Sequence, residues 1–243
     1  MKSVCVLSGK GGVGKTTVAA AIARSLTESY KVGLFDADIS GSNLHLLLDV
    51  KRDFDVVGGR IKPAVATIDG KELEFVSLSL VSESYCDWPG IRHGEFVVQV
   101  LEGTDFTADY VIEDLAPGWH EDVAKAVELS DVAVLVALPG KLGALDLKRT
   151  IELLRDKRKP VAGAYVNFSK YICPNCGREE KLFGASPGLE VPVIEEIPWT
   201  NSLPKLDPHK LLTYINNPVT LLPRSKSVVK RKLMEIFLRR LGR

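Results

Sequence analysis

Two short stretches of this chain gather residues able to hold something strongly charged. The first is Gly9-Lys10-Gly11-Gly12-Val13-Gly14-Lys15-Thr16. Glycines let a backbone wrap closely around an anion and turn its N–H groups inward. A helix starting at the end of such a loop adds its positive N-terminal end. A lysine at the place of Lys15 reaches the β and γ phosphates of a nucleotide, and a hydroxyl at Thr16 ligates Mg²⁺. The stretch satisfies G-x-x-x-x-G-K-[ST] and lies between an apolar run, Ser3 to Leu7, and an alanine-rich helical run, Thr16 to Ser29. That strand–loop–helix setting is the context the motif requires. It predicts ATP bound by Gly9, Lys10, Gly11, Gly12, Val13, Gly14, Lys15, Thr16 and Thr17.

Hydrolysis also needs an oriented water and a shielded metal, and two carboxylate stations follow. Phe35-Asp36-Ala37-Asp38 ends the second apolar run, the strand end at which open α/β sheets bind ligands. Asp36 is expected to hold a Mg²⁺-bound water, and Asp38 to position the attacking water. The run Tyr110-Val111-Ile112 delivers Asp114 to the metal's outer shell. The expected Mg²⁺ residues are therefore Thr16, Asp36 and Asp114, and the expected catalytic residues are Lys10, Lys15 and Asp38.

The second stretch is Cys173-Pro174-Asn175-Cys176-Gly177. A Cys-x-x-Cys turn grips one metal with two thiolates. One chain offers only this pair, since Cys5 sits in the first apolar run and Cys86 is isolated. Two copies related by a two-fold axis would supply four thiolates, which suits tetrahedral Zn²⁺ or an iron–sulfur cluster. A zinc-ribbon knuckle, a redox pair and a plain turn with free thiols are the competing readings of the same residues.

The elements that position these groups follow from periodicity. Val32–Phe35, Tyr110–Ile112, Val132–Leu138 and Val161–Val166 are continuous apolar runs, as buried parallel strands are. Ile61–Ile68 and Leu73–Leu80 flank Asp69-Gly70, a hairpin turn signal. Phe96–Glu102 and Leu145–Arg155 have helical character, and Val193–Ile197 reads as the last strand. Strands alternating with helices predict a mostly parallel twisted sheet with helices on both faces, a single α/β domain over residues 1–243. The net charge is +1 over 243 residues, which gives no global reason to expect nucleic acid. Eight basic residues and one acidic residue lie between Arg224 and Arg243. That amphipathic stretch, 225–241, packs on the core, lies on a membrane surface or touches DNA. With no secretory signal, no transmembrane run and only four cysteines, a cytoplasmic protein is expected.

Lys10 inside the loop makes Gly-Lys-Gly-Gly-Val-Gly-Lys-Thr-Thr, which resembles the deviant Walker A family of MinD, ParA and the nitrogenase iron protein. The resemblance implies a homodimer that sandwiches nucleotide, with Lys10 reaching the phosphates of the other subunit. Leu115-Ala116-Pro117-Gly118 resembles the family's Asp-x-Pro-Pro-Gly switch, with alanine in place of the first proline. Val166-Asn167-Phe168-Ser169 resembles its Asn-Met-Ser segment, which implies that Asn167 contacts adenine. Asn167 through Gly177, followed by Phe183-Gly184 and Glu196-Ile197-Pro198, is similar to the Mrp/ApbC-type cluster carriers. That likeness spans nearly the whole chain. It implies slow ATP hydrolysis, a [4Fe–4S] cluster bridging the dimer at Cys173 and Cys176, and transfer to apo iron–sulfur client proteins. A positional ATPase of the MinD/ParA kind and a Zn²⁺-stabilised ATPase adaptor are the alternatives. Nucleic acid is not expected as a partner, nor is a membrane.

Overall fold

The computed structural model describes residues 1–38, 44–50, 54–78, 93–182 and 188–223. In chain order the elements are β1 (Lys2–Ser8), α1 (Lys15–Leu26), β2 (Val32–Asp36), a 3₁₀ turn (Leu44–Leu47), β3 (Asp49–Val50), β4 (Asp55–Val57), β5 (Arg60–Lys62), β6 (Ala64–Ile68), β7 (Lys71–Ser77), α2 (His93–Gly103), β8 (Tyr110–Asp114), α3 (Glu121–Leu129), β9 (Val132–Ala137), α4 (Gly140–Asp156), β10 (Pro160–Asn167), β11 (Tyr171–Ile172), β12 (Glu179–Glu180), β13 (Val193–Ile197), α5 (Pro208–Asn216) and β14 (Val219–Thr220).

The main sheet runs β13-β10-β9-β1-β8-β2-β7-β6-β3, with β14 also paired to β10. From β13 to β7 every neighbouring pair is parallel. β6, β3 and β14 are antiparallel additions at the two margins. Side chains alternate across each strand. Val4 and Val6 of β1 therefore face one core with Val18, Ile22 and Leu26 of α1 and Leu211 and Ile215 of α5. Cys5 and Leu7 face the other, with Val97 of α2, Val127 of α3 and Ile151 of α4. Helices on both faces explain why the central strands carry no polar alternation.

Local sequence accounts for most of these choices. Ala19 to Ala23 is almost all alanine, the strongest helix former, and it lets α1 lie flat on the sheet with those residues fully buried. Asp69 and Gly70 take positive φ values of 49° and 77°, and β6 and β7 pair around them as the hairpin signal predicts.

Three expectations about elements are corrected. Ile61–Ile68 is two strands, because Pro63 has no N–H to give a ladder; β5 pairs with β4 instead. The strand expected over Leu73–Leu80 ends at Ser77. Val193–Ile197 is not the last strand, since β14 follows it. Several elements had no clear sequence signal: α3, α5, the 3₁₀ turn and the short strands β3, β4, β11, β12 and β14. The stretch 225–241, Cys86 and Phe183-Gly184 lie outside the described residues.

Tyr165 is fully buried in β10, and its hydroxyl has no hydrogen-bond partner among the described residues. Burial pushes its phenol pKa up, with Glu195 and Asp207 adding to the effect. A buried donor left unpaired carries a desolvation penalty of about 1–3 kcal/mol. Tyr165→Phe is therefore expected to hold or raise the urea unfolding midpoint. A loss of more than about 1 kcal/mol would reveal a partner for that hydroxyl.

Candidate nucleotide and metal site

The phosphate loop links β1 to α1. Gly12 and Gly14 have φ of 79° and 82°, left-handed values that favour glycine. Gly14 is also the N-cap of α1, with no side-chain cap and no acidic residue in the first turn. The leading N–H groups of α1 thus meet no side-chain acceptor at the cap, which makes this end receptive to an anion. α5 is the contrast. There Asp207 accepts from His209 N and Lys210 N, and Pro208 opens the helix, so its end is closed.

Lys15 is buried, and its Nζ lies 2.5 Å from Asp114 Oδ1, also buried. Asp114 ends β8 beside Asp36 of β2 in register. Burial pushes the Asp114 carboxyl up; Lys15 and the Thr16 hydroxyl oppose this, and Asp38 adds to it. The other oxygen, Asp114 Oδ2, is buried without a hydrogen-bond partner among the described residues. An orphaned carboxylate oxygen beside a hydroxyl is a fitting donor set for a hard divalent cation. Asp36 is fully buried and more engaged: Ser77 Oγ donates to its Oδ2 at 2.6 Å, and Asp38 N donates to Oδ1 at 3.2 Å. Thr16, Asp36, Asp38 and Asp114 therefore gather at one end of the sheet, beside Lys15.

Lys10 lies elsewhere in the loop. Its Nζ pairs with Asp146 of α4 at 2.6 Å, within the same chain. The α4 backbone presses on the loop there: a Cβ on Gly9 would fall 2.1 Å from the Asp146 carbonyl oxygen, so only glycine fits. Asn167, at the end of β10, donates from Nδ2 to the Val13 carbonyl at 2.9 Å. The amide donor expected to read adenine is thus engaged with the phosphate loop. Asp146 and Ser77 have no motif around them, which is why sequence reasoning missed both.

A separate buried cluster sits behind Asp114. Glu113 points to the opposite face, where Ser130 Oγ donates to it. Burial pushes its carboxyl up to about 7, with Ser130 and Lys159 opposing and Asp131 adding. Cys5 lies beside it in register, and burial followed by the Glu113 charge pushes that thiol up to about 12.

The cysteine pair caps a hairpin made by β11 and β12. Cys173 N donates to Arg178 O and Gly177 N donates to Cys173 O, with Gly177 at φ 69°. Both thiols are free, and Cys176 is exposed. Backbone N–H groups of Asn175 and Cys176 lower the Cys173 pKa, and N–H donors aimed at sulfur favour a thiolate. Lys170–Glu179 and Arg178–Glu180 ion pairs offset the hairpin's own charges. Trp199 N donates to Lys170 O, and the Trp199 and Tyr171 rings lie 5.8 Å apart. Among the described residues no group of three or more potential metal ligands occurs. The hairpin therefore offers two free thiols on one turn.

Known proteins resemble this chain over most of its length. A family model described as "ParA: NUBPL iron-transfer P-loop NTPase" matches residues 1–237. A cytosolic Fe–S cluster assembly factor, CFD1 of Kluyveromyces lactis, is 30% identical over 84% of this chain and 76% of its own. An iron–sulfur cluster carrier protein of Rickettsia bellii is 33% identical over 81% of this chain and 61% of its own. A nucleotide-binding protein from Archaeoglobus fulgidus, solved with ADP, superposes with a TM-score of 0.65 at 24% identity, covering 89% of this chain and 86% of that one. The last likeness speaks to the fold. None of the described helices is long and apolar enough to cross a membrane.

Two outcomes are expected from this geometry. Lys15→Ala removes the phosphate's counter-charge and leaves Asp114 buried alone. Calorimetric titration should show no ATP binding, and urea unfolding should show a loss of about 3 kcal/mol, the usual result of breaking a buried pair. Glu113 holds its proton to a higher pH when folded than when unfolded. Its favourable contribution is complete below the unfolded value of 4.5 and is lost as pH rises to about 7. Glu113→Gln should therefore flatten stability between those two pH values, and a variant with the wild-type slope would place the proton elsewhere.

Proposed function

Because the chain belongs to the NUBPL iron-transfer P-loop NTPase family, we propose that it is an ATP-dependent homodimeric carrier that binds a [4Fe–4S] cluster and passes it to apo-proteins. The observation that carries this reading is the hairpin's half-site: two free thiols on a turn whose N–H groups lower one thiol's pKa, with no third ligand gathered among the described residues. A second copy supplies the missing pair. The cluster is cargo. Its release needs the hairpins to part, and the nucleotide governs how the two copies meet.

The phosphates sit on the open end of α1 and on Gly9 to Thr17. Thr16 would hold Mg²⁺, with Asp114 at its outer shell and Asp36 on one of its waters. Magnesium, when bound, spreads the charge that builds on the transferred phosphoryl group. Asp38 positions the attacking water. Lys10 has its own role only after leaving Asp146, when it turns to the other subunit's nucleotide. Asn167 shapes the loop from the side on which adenine is expected to lie. The relatives named as cytosolic factors support a cytoplasmic setting, and the clients are apo iron–sulfur proteins.

Anaerobic reconstitution with iron and sulfide tests the reading. About four irons per dimer, lost in Cys173→Ser while ATP binding stays, is the expected result. One zinc per dimer and no cluster would turn the reading to a Zn²⁺-stabilised adaptor. Neither metal would point to a positional ATPase.

A further inference from the structure

Resting on that reading, we infer that the segment Asn167–Tyr171 is a strap that couples the phosphate loop to the cysteine hairpin, with Phe168 as its positioning residue. Asn167 and Cys173 lie six positions apart, so whatever moves one end is felt at the other.

The strap is fixed at both ends. At the loop end, Asn167 Nδ2 donates to the Val13 carbonyl. The Phe168 ring packs beside Gly14, its Cζ lying 3.5 Å from where a Cβ on Gly14 would stand. At the hairpin end, Ser169 N donates to Ile197 O and Trp199 N donates to Lys170 O, while the Tyr171 and Trp199 rings meet. Between these anchors Phe168 has φ of 58°. An aromatic L-residue adopts that conformation only when its surroundings compel it. Here the compulsion comes from being tied to the loop on one side and to β13 on the other.

The coupling has a mechanical basis in one peptide plane. The Val13 carbonyl and the Gly14 N–H belong to the same rigid amide. In a trans peptide the N–H points opposite to the carbonyl, so the Gly14 N–H points away from Asn167, which the Val13 carbonyl holds. A phosphate that reorients the N–H must swing the carbonyl, and with it Asn167 and the adjoining Phe168. The left-handed turn at Phe168 is the element with a second arrangement available, since relaxing it to the extended region relieves its strain. The Cys173–Cys176 turn, two residues past Tyr171, would then change its aim. Nucleotide state thereby sets how readily the two hairpins of a dimer keep a shared metal.

The test uses Phe168→Gly, since glycine accepts the same φ without strain and the variant loses both the ring and the strained turn. Reconstituted protein is stripped with an iron chelator under saturating Mg²⁺ and a non-hydrolysable ATP analogue, and again without nucleotide. In the wild type the rates should differ by at least about five-fold, the lower range of allosteric couplings. In Phe168→Gly they should converge while metal content stays unchanged. Equal rates in the wild type, or the wild-type ratio in the variant, would overturn the inference. Should the wild type hold no metal, the carrier reading fails instead. The strap is then decided in metal-free protein by Trp199 emission in a Trp88→Phe, Trp119→Phe background. A nucleotide-induced change that disappears in Phe168→Gly supports it; a change that persists, or none at all, sinks it.

Discussion

The pair between Lys15 and Asp114 organises this molecule. It ties the first turn of α1 to the end of β8, and both groups are buried. Neither charge could stay there alone, because an isolated ion in a low-dielectric interior shifts its pKa or drives water in. The lysine is thereby stored in an ordered position beside the open helix end, and one oxygen of Asp114 has no hydrogen-bond partner among the described residues. In the proposed site, phosphate and metal would meet charges already paired with each other. Binding would then be an exchange of partners, without the penalty of first collecting charge.

The same economy runs through the rest of the loop. Lys10 rests on Asp146, and the α4 backbone touches the loop so closely that Gly9 admits no side chain. α4 is therefore part of the loop's resting shape. Asn167 holds the loop at the Val13 carbonyl. A glycine-rich segment is thus held by α4 and by the end of β10, which lowers the ordering entropy that ligand binding must overcome.

How much of this could be read from residues alone depends on the range of the interaction. The loop, the strand-end aspartates and the cysteine turn are local patterns of residue type and spacing, and the loop links a strand to a helix, the aspartates end strands and the cysteines sit on a turn, as their neighbours in sequence predict. The central parallel strands were legible because burial on both faces erases alternation. α3 and α5 gave no clear signal: α3 is short and rich in charge. Asp146, Ser77 and Ser130 were invisible for another reason. Each acts through a partner more than fifteen positions away, and nothing in its neighbours marks it. Pro63 could have been used to split the strand around it, but the apolar run on either side masked it.

Cys5 and the hairpin cysteines mark opposite extremes of sulfur chemistry in one chain. Cys5 is fully buried with its thiol pushed up to about 12, so at neutral pH almost none of it is thiolate. Cys173 has its pKa lowered by backbone donors, and Cys176 beside it is exposed. Electrophiles and peroxides attack thiolates in proportion to their abundance and access. The same N–H groups that favour the Cys173 thiolate thus ready it for oxidation. In the proposed carrier, a bound metal would cover these sulfur atoms, so loading and oxidative damage would compete for the same two atoms.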